Sequence, residues 1–193
     1  MSLKSFVGRI SLRRRLKQMN PAALEFPGAL TRTRQVLVCL PGGLRELTVV
    51  KQFLPTIKEI FKPAVITLLP MPGVRVNDIY PRKGFNILSP TPDQVTWVGL
   101  PKRTYVKSLQ ECEFDILLDL NFEQSMFTSG ILLSFPDAVR VGRGSFLGKP
   151  YYNLEIRTRY LRDERNICRS LLQTLEKIRS AAVAQPEGGS NGQ

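Results

Sequence analysis

Apolar positions fall into short continuous runs through the middle of the chain, and the runs alternate with segments of helical spacing. Val36 to Leu40 is apolar throughout and leads into Pro41-Gly42-Gly43. Leu47, Val50, Leu54, Ile57 and Phe61 then recur on one helical face up to Pro63, and a second apolar run, Val65 to Leu69, stops at Pro70-Met71-Pro72. Strands apolar on both faces and joined through a helix are the mark of a parallel sheet covered on both sides. Two shorter strand candidates, Phe85 to Leu88 and Val95 to Val98, flank a Pro-rich turn. Phe114 to Leu120 is a third strong strand, and a helix over Phe122 to Leu133 follows it. Short strands at Ala138 to Val141 and Tyr152 to Ile156 and a closing helix over Leu161 to Ile178 complete the pattern. The expected fold is α/β, a single doubly wound, mostly parallel sheet with helices on both faces.

The ends read differently. Residues 4 to 19 set Phe6, Ile10, Leu16 and Met19 near one helical stripe among Lys4, Arg9, Arg13, Arg14, Arg15 and Lys17, which predicts a short basic amphipathic helix. Asn20-Pro21 and Pro27-Gly28 break it, so residues 1–34 form that helix and a connecting segment, residues 35–180 the α/β domain, and residues 181–193 a polar, Gly-rich tail expected to be disordered.

Charge sharpens this division. The net charge is +12, yet residues 36 to 139 are neutral, while residues 1 to 35 carry +7 and residues 140 to 179 carry +6. Basic flanks on a neutral body point to an anionic membrane surface or a protein partner. Nucleic acid is a weaker match, because the aromatic residues are not interleaved with Arg or Lys as a stacking platform needs. The alternative is that the helix packs its stripe on the body and leaves the arginines solvated.

The chain has no histidine, which removes imidazole nucleophile systems and His-ligated zinc; Cys39, Cys112 and Cys168 show neither a CxxC pair nor ligand spacing. No metal and no cofactor are expected, and the cysteines read as reduced structural thiols. The absence of a long apolar run predicts a cytoplasmic protein, peripheral on the inner face of a membrane if the basic helix binds lipid.

Ligands of doubly wound sheets bind beyond the carboxyl ends of the strands, where the strand order reverses. That rule selects Gly42 and Gly43, where a helix N-terminus and close backbone approach favour a ligand, and Asn121 after the third strong strand. It also selects Arg140 and Arg143, with Lys149, as a clamp for phosphate or carboxylate. Two carboxylates are placed by the same rule. Glu46 lies in a first helical turn, where it also complements the dipole, and Asp119 ends a buried strand. Asn121 is expected to cap the following helix.

The succession of strand, Pro41-Gly42-Gly43 loop, helix, Phe114-Asp-Ile-Leu-Leu-Asp-Leu120, small-residue helix and Ala138-Val-Arg-Val-Gly142-Arg resembles the N-terminal lobe of the ADP-heptose:lipopolysaccharide heptosyltransferase family, two-lobed glycosyltransferases of the GT-B class. The resemblance implies a Rossmann-like sheet and an acidic catalytic base after the first strand. Where that family has Gly-Asp, this chain has Arg45-Glu46, so Glu46 is the implied base and Asp119 a positioning group. The family's second, donor-binding lobe would begin where this sequence ends. The expectation is therefore a binding or accessory protein that is not active alone and acts at an anionic surface or with a partner. The alternative is a glycosyltransferase subunit that works with a separate donor-binding chain.

Overall fold

The computed structural model describes residues 3–18, 28–76, 80, 83–144 and 151–184. Among them, six strands form one sheet, β1 (Gln35–Cys39), β2 (Val65–Leu69), β3 (Asn86–Ile87), β4 (Ile116–Asp119), β5 (Val139–Arg143) and β6 (Leu154–Ile156), in the order β3-β2-β1-β4-β5-β6. Every pairing is parallel, with Val36 beside Ile66 on one side and Ile116 on the other. The fold is thus an α/β Rossmann-like sheet, parallel throughout. The central strands are buried along nearly their whole length, which is why their sequences are apolar without alternation.

Val36, Val38, Ile116, Leu118, Val139 and Val141 point to one face of the sheet, with Leu47, Val50, Ile57 and Phe61 from helices α3 (Leu44–Lys51) and α4 (Leu54–Phe61) and Cys168, Leu171 and Leu175 from α7 (Glu164–Ala184). Leu37, Cys39, Leu117 and Ala138 point to the other, under α5 (Arg103–Gln110) and α6 (Met126–Leu132). The apolar face expected from Leu47 to Phe61 is all buried, but it lies on two helices. The chain breaks at Gln52-Phe53, because Pro55, at the first turn of α4, has no N–H to continue α3. Val95 to Val98 is no strand either. Val95 makes a single antiparallel bridge to Pro101, and a tight turn follows, with Gly99 at φ +86° donating to the Thr96 carbonyl. The closing helix starts at Glu164, where the Asp163 carboxylate accepts from the Asn166 N–H at 3.0 Å, and continues to Ala184. Within the expected connecting segment, Gly28–Thr31 forms a short helix, α2, with Leu30 buried. Met19, Lys149 and residues 185–193 lie outside the described residues.

Helix α1 (Leu3–Gln18) forms as expected but packs on a different edge. Leu12, only 2% exposed, seats against Leu100 and Leu133, with Leu16 beside it. Gly8 lies on the same edge, where a Cβ would meet the flexible end of the Met126 side chain of α6 and come within 3.4 Å of the Val98 carbonyl. The packed line is Gly8 and Leu12, both buried, and the half-buried Leu16, each four residues apart; Phe6 and Ile10 of the expected stripe face water.

If α1 docks in this way, Leu12→Ala should remove about 2 kcal/mol or more of stability, seen as a lower denaturant midpoint with an unchanged slope. An unaltered midpoint would show that α1 is not packed on Leu100 and Leu133.

Candidate functional site

The strand order reverses between β1 and β4: from β1 the chain winds outward through β2 to β3, and from β4 it winds the other way through β5 to β6. The connections leaving β1 and β4 therefore part above the carboxyl end of the sheet. A cavity of about 510 Å³ opens there. Gly42, Gly43 and Glu46 form one wall, Asn121 and the segment Glu123–Phe127 face them, and Met71 with Pro72 and the Val95–Gly99 turn close the sides. A second cavity of similar volume lies at the amino ends of the strands, where Asp115 accepts from the backbone N–H groups of Arg34 and Gln35 and so joins β1 to β4.

Glu46 reaches back so that Oε2 accepts from the Gly43 N–H at 3.3 Å, satisfying one free donor at the start of α3. A Cβ on Gly43 would lie 3.1 Å from that oxygen, so the glycine leaves room for the carboxylate to fold over the loop. Neighbouring Arg45 turns the other way and pairs with Glu164 of α7 at 3.1 Å, an exposed contact worth at most about 1 kcal/mol. It does not enter the crevice.

Asn121 lines the crevice, but it does not cap α6. Its side-chain amide donates to Asp119 Oδ1 at 2.7 Å and to Thr128 at 3.3 Å, and the cap is Ser125, whose hydroxyl accepts from the Thr128 N–H at 3.2 Å. Four residues must pass between Asn121 and α6 before the helix can start, which puts Ser125 at the cap position.

Asp119 itself is 3% exposed and outside the crevice. It sits beside Cys39 on the sheet face that also holds Leu117, and Tyr152 donates its hydroxyl to Oδ2 at 2.7 Å. The backbone and side chain of Asn121 both donate to Oδ1. Burial raises the Asp119 carboxyl from its ordinary value, against the lowering effects of the Tyr152 and Asn121 hydrogen bonds and of Arg143. The same desolvation, and then the nearby Asp119 charge, push the Cys39 thiol well up, and Cys168 is pushed up to about 12, so both buried thiols stay protonated.

Arg140 is also elsewhere. It is 2% exposed, and its guanidinium donates to the Tyr151 carbonyl at 3.0 Å and the Phe135 carbonyl at 2.8 Å, which ties β5 to the loops around it. Arg143 donates to the Phe122 carbonyl at 3.4 Å and does not line the crevice. Of the expected site residues, the structure brings together Gly42, Gly43, Glu46 and Asn121. The wall made by Met71, Glu123, Gln124 and Ser125 was not singled out from the sequence, although the loop after β4 was indicated. The Val95–Gly99 wall was hidden by its reading as a strand.

No protein-family model matches the chain, and no curated protein matches it in sequence. Solved structures do match. The chain superposes on E. coli heptosyltransferase WaaC with ADP at 10% identity and a TM-score of 0.54, covering 82% of this chain and 50% of that one. It superposes on a glycosyl transferase family 9 protein from Veillonella parvula DSM 2008 at 13% identity and a TM-score of 0.53, covering 83% and 44%. The likeness is one of fold. The chain spans about half the length of the solved glycosyltransferases it matches, and it has the Rossmann-like architecture that the motif resemblance implies.

The buried Asp119 carboxyl has a measurable consequence. An acid with a raised folded-state pKa holds its proton more firmly when folded, so its contribution to stability falls as pH rises from the ordinary aspartate value of about 4 to the folded value. Compared with Asp119→Asn at a series of pH values, the wild-type chain should be relatively most stable at the acid end and lose ground as pH rises. A stability difference that does not vary with pH, or varies with the opposite sign, would contradict the burial described for Asp119.

Proposed function

We propose that the chain is a glycosyltransferase-like binding or accessory module that holds a neutral, hydroxylated ligand, a sugar, in the crevice between β1 and β4. The observation that carries this reading is the make-up of the crevice. Its described lining residues include two carboxylates, Glu46 and Glu123, with the polar Asn121, Gln124 and Ser125, and no Lys or Arg. Carboxylates and amides accept and donate to hydroxyl groups, whereas a phosphate or nucleotide would meet repulsion there and no cation to offset it. The apolar side chains Met71, Val95 and Val98 suit the C–H face of a sugar ring. The likeness of fold to glycosyltransferases supports the same ligand class.

The second reading is a transferase that works with a separate donor-binding chain, with Glu46 as general base. The observation in its favour is that Glu46 is the carboxylate on the crevice wall next to the loop after β1. In that reading Asp119 positions the loop through Asn121 without touching the ligand.

Both readings are tested by recording amide spectra of the chain with neutral glycosides, sugar phosphates and nucleotide sugars. Neutral glycosides should shift the resonances of Gly43, Glu46 and Gln124, and Glu46→Gln should weaken that binding about tenfold or more, as loss of a hydrogen bond to a charged group implies. Tighter binding of sugar phosphates or nucleotide sugars at the same resonances would overturn the neutral-ligand reading. Glycosyl transfer on addition of a donor-binding chain, abolished in Glu46→Gln, would replace the accessory reading with the transferase one.

A further inference from the structure

Because α1 seats through Gly8 and Leu12, the residues two positions either side of Gly8 point away from the body. These are Phe6 and Ile10, four apart on one face and 56% and 38% exposed. Arg9, Arg13, Arg14 and Lys17 are exposed around them, while Arg15 turns inward and donates to the Pro101 carbonyl at 3.5 Å. The turn that receives Gly8 also carries Trp97, 63% exposed. We propose that the outward face of α1, Phe6 and Ile10 within a ring of four cations, is a docking surface for an anionic lipid leaflet.

Charge selects lipid over the other occupants. Residues 3 to 18 contain six Lys or Arg and no Asp or Glu. A protein partner that fixes register uses charges of both signs and avoids lysine at the core of the contact. A leaflet of anionic headgroups asks only for uniform positive charge and for side chains that enter the acyl boundary, and a solvent-facing Phe and Ile supply these. An aliphatic Ile gives a nucleic acid nothing to stack on. The inference does not depend on what the crevice binds, but it bears on it. Val98 and Met126, which receive Gly8, also line the crevice, so a leaflet held by α1 lies about one helix diameter, roughly 10 Å, from the crevice wall.

The test is sedimentation of the full chain with vesicles of phosphatidylcholine mixed with phosphatidylglycerol, and with vesicles of phosphatidylcholine alone. The chain should pellet with the mixed vesicles only and be released as salt shortens the screening length. A triple variant Arg13→Gln, Arg14→Gln and Lys17→Gln should lose about a hundredfold in partitioning, since each cation at an anionic leaflet is worth about fivefold. Phe6→Ser with Ile10→Ser should lose about tenfold or more at unchanged charge. All five positions are exposed, so both variants should keep the thermal unfolding of the parent. Equal pelleting of parent and variants, equal pelleting with phosphatidylcholine alone, or no pelleting would each overturn the proposal. So would binding to duplex DNA that the triple variant loses and the Phe6, Ile10 variant keeps, in the absence of any vesicle binding.

Discussion

The reversal of winding between β1 and β4 governs the rest of the structure. Two adjacent parallel strands whose chains depart in opposite directions cannot share a covering connection, so the space above their carboxyl ends must be walled by loops. The loop after β1 folds tightly at Gly42-Gly43, and the loop after β4 runs from Asn121 to the Ser125 cap. The third wall comes from the long return between β3 and β4, which has to cross the sheet to restart the winding. The Val95–Gly99 turn lies on that return, and α1 packs behind it. Topology thus fixes the crevice first and the seat of the N-terminal helix second.

Most of the sheet was legible because a strand buried on both faces is apolar at most of its positions. Val36 to Leu40, Val65 to Leu69 and Phe114 to Leu120 cannot be solvent-facing loops, and the helical spacing from Leu47 to Phe61 held its buried face across the break at Pro55. Segments whose conformation rests on one hydrogen bond or one backbone angle were not legible. Val95 to Val98 has the composition of a strand, but Gly99 at positive φ and the Thr96 to Leu100 contacts close it into a turn. On α1, the apolar count suggested a stripe through Phe6, Ile10 and Leu16, whereas the packed edge runs through Leu12, buried against Leu100 and Leu133, with Gly8 on the same edge beside Met126 and Val98.

The same burial that reveals a central strand conceals where its polar residues point. In a half-buried strand the alternation of apolar and polar positions assigns the faces; β1, β4 and β5 are buried on both, so Asp119 and Arg140 could not be assigned to crevice or core from their own neighbourhoods. Both fall on the face under α5 and α6. There each is satisfied by groups on neighbouring loops and strands, Asp119 by the Tyr152 hydroxyl as well as by Asn121, and Arg140 by the Phe135 and Tyr151 carbonyls. A buried carboxylate and a buried guanidinium each need such partners. What the pattern gave as two site residues, the partners make two fasteners of the second layer.

The distribution of charge now takes on a geometric meaning. A clamp for phosphate would require cations on the crevice wall, and Arg140 and Arg143, which the sequence offers for it, give donors to backbone carbonyls instead. The wall keeps Glu46 and Glu123, while α1 carries cations with no acid among them. Carboxylates close to an anionic leaflet would be repelled from it if they formed the docking face, and cations in the crevice would draw lipid phosphates into it. If the crevice holds a sugar and α1 meets an anionic leaflet, as proposed, placing the positive charge on a helix outside the crevice, with Val98 and Met126 between, would keep the two surfaces from competing for the same ligand. On those two proposals, a neutral ligand would reach Glu46 without displacing an anion held at α1.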